Sequence, residues 1–184
     1  FYLNFSTEKN ITNSAYSQSR MKLNYTAFIE LNDAIIKEFY TDNDFKLWKG
    51  FRLLGIDGSR IQLPFSVEIL ESFGYSKNGS NIIVPMAQTS CCLDLLNQMI
   101  INSEINRYET SEYDLALKSI EKCDMKDLLI YDRGYGAVWF MLYHQIKKKD
   151  FIIRMRRNST KEIAEFFNSE EKSKIIEITK LHKN

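Results

Sequence analysis

Leu128-Leu129-Ile130-Tyr131-Asp132-Arg133-Gly134-Tyr135-Gly136 decides the fold. Its four leading apolar residues are too few for a helix and read as a buried strand. The run stops at an acid, and Gly134 and Gly136 permit a sharp turn. Ala137–Lys147 follows as a helix apolar on most of its sides, which predicts thorough cover by the rest of the chain. Phe151-Ile152-Ile153-Arg154-Met155 then reads as another strand. A strand, a crossover helix and a strand make the unit from which parallel sheets are built, so the class is α/β.

Working upstream, Ser111 opens a helix. Ser111-Glu112-Tyr113-Asp114 has capping-box spacing, and Tyr113, Ala116, Leu117 and Ile120 give one apolar face. Before it, Phe51 to Leu63 predicts a strand interrupted near Gly58 and ended by Pro64. Residues 72–80 form a Gly/Ser/Asn-rich loop. Ile82–Thr89 and Gln98–Ile105 predict two more strands in an antiparallel meander. Ser14–Tyr40 lacks Gly and Pro, and Phe28, Leu31, Ile35 and Phe39 fall near one face, predicting one long helix. Thr41-Asp42-Asn43-Asp44 ends it.

The expected order is helix, three strands, helix, strand, helix, strand. It describes a mixed five-stranded sheet with flanking helices, preceded by an N-terminal helical segment. Right-handed crossovers would set the fourth strand beside the first. Asp57 lies on the first strand and Asp132 ends the fourth, so the order alone brings the two carboxylates together.

Composition narrows the function. The 184 residues (21.7 kDa) suit one domain with trimmings, and 44% hydrophobic content supports a sizeable core. Seven Gly and two Pro exclude collagen-like and low-complexity chains. No apolar run nears the roughly 18 residues of a membrane helix. Twenty-five basic and 24 acidic residues leave +1, so any nucleic-acid signal is local. Three cysteines make no disulfide framework and favour a reducing compartment. A first residue of Phe suggests a trimmed fragment. No Gly-x-Ser-x-Gly elbow, Gly-Lys-Ser/Thr loop or paired zinc-ligand spacing occurs. His144 shares a face with Ala137, Phe140 and Met141 and reads as packed.

Asp57 and Asp132 are the candidate chemistry. A carboxylate in an apolar strand is unfavourable unless it is paired or binds a cation. Two on neighbouring strands repel, and a divalent ion relieves both; all-oxygen ligation suits Mg2+ or Mn2+. The competing possibility is structural: an Asp57-Gly58 hairpin turn, and Asp132 capping the next helix. Lys147-Lys148-Lys149, Arg154, Arg156, Arg157 and Lys161 bring seven positive charges against one negative, Asp150. The lysines fit a solvated helix end. Arg154 and Arg156 alternate along the predicted strand and share a face that suits phosphate contact. Arg133 and Tyr135 adjoin Asp132, either to contact phosphate or to support the turn. Glu109 and Glu112 are within range of the site, but nothing in the sequence selects them.

Leu54-Gly55-Ile56-Asp57-Gly58-Ser59, followed by Tyr131-Asp132-Arg133-Gly134-Tyr135, resembles the catalytic core of bacterial insertion-sequence DDE transposases of the group with an inserted β-domain. Ser14-Ala15-Tyr16-Ser17-Gln18-Ser19-Arg20 resembles that family's N-terminal helical motif, and Phe151-Ile152-Ile153-Arg154 the strand after its Asp-Arg-Gly-Tyr helix. The resemblance implies a ribonuclease H-like core over residues 46–158, an N-terminal helical segment over 1–45, and the start of the inserted β-domain over 159–184, with Ile175–Ile178 as its first strand. It further implies a DNA transposase that hydrolyses phosphodiesters and transfers strands, using Mg2+ or Mn2+ held by Asp57 and Asp132. Arg133, Tyr135, Arg154 and Arg156 would bind double-stranded DNA at element ends and target. The implied setting is a homodimer on the nucleoid in a bacterial cytoplasm, with no membrane. The family's third acid sits in a Tyr-x2-Arg-x3-Glu-x6-Lys signature that these residues lack; Lys161, Glu165 and Lys172 match its spacing only in part. The chain is therefore expected to be catalytically incomplete alone. The alternative is a catalytically dead transposase remnant that binds nucleic acid or protein.

Overall fold

The apolar run read first forms an interior strand of a sheet, next to its edge. Strand β5 (Asp127–Tyr131) buries Leu128, Leu129 and Tyr131, and it lies between β1 (Arg52–Gln62) and β6 (Asp150–Ile153), parallel to both. The computed structural model describes residues 12–41, 44–77, 79–124 and 126–176. The chain divides into two units, Phe1–Asp42 and Asn43–Asn184.

In the second unit β1 pairs antiparallel with β3 (Ile83–Asp94), which pairs antiparallel with both β2 (Tyr75–Lys77) and β4 (Met99–Arg107). The path β2-β3-β1-β5-β6, with β4 also on β3, makes a mixed six-stranded α/β sheet. The expected order of the five long strands is present, and the sixth strand was not expected. Residues 64–80 are more ordered than their Ser/Gly/Asn content predicts. They hold a short helix, Val67–Phe73, capped where Ser66 Oγ accepts from Ile69 N at 3.1 Å, before β2. Gly58 does not interrupt β1, which runs unbroken through Asp57.

The helix Glu112–Glu121 covers β1 and β3 with Leu115, Ala116 and Ile120, all buried, and Ser111 Oγ caps it by accepting from Tyr113 N. The helix Val138–Ile146 is less covered than expected. It follows β5 and leads into β6 and buries only Phe140 and His144; Trp139, Leu142 and Ile146 stay exposed. His144 is a packed residue. Its Nδ1 donates to Phe140 O at 2.8 Å and its Nε2 accepts from the Tyr131 hydroxyl at 2.9 Å, the tautomer that satisfies both partners. Burial lowers its pKa against the opposing hydrogen bond to Phe140.

In the first unit the predicted long helix is two, Asn13–Met21 and Thr26–Phe39. Asn24 supplies the reason: its side chain accepts from Thr26 N at 3.1 Å, offering the backbone a cap instead of another helical turn. Of the stretch 159–184, the described part holds a helix, Lys161–Phe167, and irregular chain to Ile176. Glu177 and Ile178, half of the strand expected there, lie outside the described residues. Among the described residues no helix is long and apolar enough to cross a membrane.

Candidate active site

The register of β1 against β5 sets the heights of the two aspartates. Gly55 pairs with Ile130, and Asp57 and Asp132 each follow two residues later, so continuing the register sets Asp57, in the middle of β1, level with Asp132, just past the end of β5. Asp57 is exposed in mid-strand rather than in a hairpin turn. Its Oδ1 accepts from Gly58 N at 2.9 Å. Asp132 does cap, as the structural alternative held. It precedes a 3-10 turn, Arg133–Tyr135, and its Oδ1 accepts from Gly134 N at 2.6 Å. A Cβ on residue 134 would come within 2.8 Å of that oxygen, so only glycine admits the contact. Among the described residues the second oxygen of each aspartate has no hydrogen-bond or ion-pair partner.

Tyr135 is buried, 1% exposed, which favours support of the turn over direct contact with DNA. Its ring meets those of Tyr113, Tyr131 and Phe140 at centroid distances of 5.2–5.7 Å. Among the described residues its hydroxyl has no hydrogen-bond partner. Burial pushes the Tyr135 phenol up, and the carboxylates of Glu112, Asp57 and Asp132 push it further, in that order. Glu112, which the sequence left unselected, joins the two aspartates among the carboxylates that raise this phenol. The available signal was the capping motif, which fixes Glu112 in the first turn of a helix packed over β1; it says nothing of the strand that turn faces.

A cavity of about 380 Å3 opens beside Asp132, lined by Arg133, Gly134, Gly136, Arg156, Asn158 and Ser159. Among the described residues neither arginine makes an ion pair. Burial raises the Tyr113 phenol; the Ala137 backbone and then Arg156 oppose the rise, and Asp132 and Glu112 add to it. Two of the four residues expected to touch DNA thus meet in one basic recess. Arg154 does not line it. The predicted strand ends at Ile153, because β5 ends at Tyr131: Arg154 N still reaches Tyr131 O at 3.3 Å, and beyond it there is no partner strand. Arg154 and Arg156 therefore do not share a strand face. Asn158 and Ser159 were not foreseen, since both lie in a turn without a motif.

The lysines keep structural roles. Lys147 pairs with Glu121 at 2.9 Å and Lys149 donates to Cys123 O. Glu165 pairs with Lys161 on its own helix. Comparison of the chain with protein-family models and with curated proteins finds no match.

Proposed function

We propose that this chain is the core of a DDE-type DNA transposase on a ribonuclease H-like sheet, cutting and joining phosphodiesters at the ends of a mobile element. The observation that carries the proposal is the β1–β5 register, whose continuation beyond Gly55 and Ile130 sets Asp57 level with Asp132 where β5 ends. The sheet order and the Leu54–Ser59 and Tyr131–Tyr135 motifs support it. Each aspartate keeps one oxygen without a partner among the described residues, and hard oxygen donors of this kind fit Mg2+ or Mn2+.

Asp57 and Asp132 would hold the ion, and when bound it supplies Lewis-acid polarisation of a phosphoryl oxygen and a more acidic water. The chain's own residues prepare the rest. Gly58 N and Gly134 N fix one oxygen of each aspartate and leave the other free. Arg133 and Arg156 neutralise a backbone phosphate in the adjoining cavity, so an incoming oxyanion meets less repulsion. The aromatic floor of Tyr113, Tyr131 and Phe140 holds Tyr135, and with it the turn after Asp132. The partners on this account are the DNA of element ends and target on the bacterial nucleoid, with the protein acting as a homodimer.

The test is a nicking assay on duplex element ends with Mg2+, using the protein as encoded. Asp57→Asn and Asp132→Asn are each expected to reduce cleavage to background while DNA binding persists. Cleavage by either variant at the unaltered rate contradicts the proposal. Binding without cleavage by the unaltered protein selects the non-catalytic binding module instead.

A further inference from the structure

Trp48-Lys49-Gly50-Phe51 folds into a tight turn at the entrance to β1. Trp48 N donates to Phe51 O and Phe51 N to Trp48 O, each at 2.9 Å. Lys49 (φ 50) and Gly50 (φ 87) both lie in the left-handed region, as the central pair of a two-residue hairpin turn does. Asn97 pins the chain just upstream. Its Oδ1 accepts from Lys46 N at 2.8 Å, and its Nδ2 donates to Lys46 O at 3.0 Å and to Asp94 Oδ2 at 2.8 Å. Asp94 itself is fully buried. The turn is thus held in one shape, yet its largest side chain stays out of the core: Trp48 is 45% exposed. Lys49 Nζ stands over the Trp48 ring, 4.9 Å from its centroid. Residues 45–52 carry three cations and no acid, and among the described residues only Arg52 of the three has a carboxylate partner.

The helix Glu112–Glu121 covers buried Leu54 and Ile56 of β1, and a Cβ on Gly58 would meet Glu112 of the same helix. Alternation therefore turns Leu53, Gly55 and Asp57 to the other face of the sheet, and Phe51 falls in with them. Residues opposed across an antiparallel bridge present their side chains to one face, so Trp48 joins Phe51 there. Six residues of extended chain take Phe51 to Asp57, about 20 Å. We propose that Trp48, flanked by Lys46 and Lys49, is a stacking platform for an unpaired base of a nucleic-acid strand crossing the Asp57 face of the sheet. A flat aromatic ring between cations suits a polymer of planar bases on a charged backbone, whatever its sequence. At the rise of stacked bases the platform lies about six nucleotides from Asp57. The inference rests on the nucleic-acid reading above and deepens it: it adds a contact apart from Arg133 and Arg156 and names an unpaired strand as the ligand.

Fluorescence anisotropy of a labelled single strand of about 20 nucleotides, titrated with the whole chain at low salt, tests it. Trp48→Ala is expected to weaken binding about tenfold. Lys49→Asn removes the cation but puts the usual residue into the turn, so it should weaken binding about threefold without lowering the thermal midpoint. Affinity that falls only where the thermal midpoint falls would reduce the hairpin to a structural element and overturn the platform. Trp139→Phe leaves Trp48 as the sole tryptophan; it should bind as the wild type does, with its emission quenched by the strand. Wild-type affinity in Trp48→Ala, or no quenching in Trp139→Phe, overturns the platform and leaves the transposase reading to its own nicking assay. Should Trp48→Ala not fold, the quenching decides alone. Emission of Trp48 that responds to anionic phosphatidylglycerol vesicles but not to the strand makes the tip a membrane contact and overturns it too. If the unaltered chain binds duplex but no single strand, the platform falls by itself; if it binds neither, the nucleic-acid reading falls with it.

Discussion

Asp127 is 2% exposed, and its two oxygens accept from Arg52 Nε and an Arg52 terminal nitrogen, each at 2.8 Å. It also accepts from Asp124 N at 2.7 Å, so little of the carboxylate is left unsatisfied. Arg52 and Asp127 are the first pair in the β1–β5 register, and Asp57 and Asp132 lie five residues beyond them on the two chains. The buried ion pair thus fixes the register on which the acidic pair depends; a slip by one residue would send one aspartate to the opposite face. Removing one partner of such a pair leaves an uncompensated buried charge. Asp127→Ala should therefore destabilise the protein by about 3–5 kcal/mol in urea unfolding. A loss below about 1 kcal/mol would mean that the pair behaves as a surface bridge.

Between elements, the contact that matters runs from β1 to the helix Glu112–Glu121. Gly58 is where the strand lets that helix approach: an added Cβ would stand 2.8 Å from Glu112 Cγ and 3.3 Å from Gln88 Nε2. Gly58→Ala should push the Glu112 side chain and the Gln88 amide aside and cost about 1–3 kcal/mol, as overpacking does. An alanine variant as stable as the wild type in urea unfolding would show that the contact yields freely. Elements of this kind were unevenly legible. The run 128–131 announced a buried strand, and the meander followed from apolar runs broken by turn residues. Strand β3 was read only to Thr89, because Ser90 and Asp94 point inward there and the register shifts between Cys92 and Leu93, which together erase the alternation. The helix 67–73 is too short for a periodic signal. Gly58 looked like an interruption because its purpose, room for Glu112, lies some 50 residues away in sequence.

For the molecule as a whole, a net charge of +1 gives no long-range attraction to DNA, so the proposed affinity would rest on the local recess of Arg133 and Arg156. Each phosphate neutralised releases counterions and steepens the salt dependence of binding. Replacing both arginines by alanine should flatten the slope of log K against log salt by about 1.8 units on duplex DNA. An unchanged slope would place DNA on another surface. Sequence reasoning found the two arginines but not the cavity, because Arg156 reaches it only by leaving the strand. It placed the strands of the two aspartates side by side because sheet order is a consequence of element order, whereas the approach of Glu112 to Gly58 depends on side-chain packing. The central claim is that Asp57 and Asp132 serve one ion. Mn2+ relaxation of amide signals tests it most directly, since Gly58 N and Gly134 N each donate to one of those carboxylates. At substoichiometric Mn2+ both amide signals should broaden together, ahead of the rest of the chain. Broadening of one without the other, or of neither, contradicts a shared site.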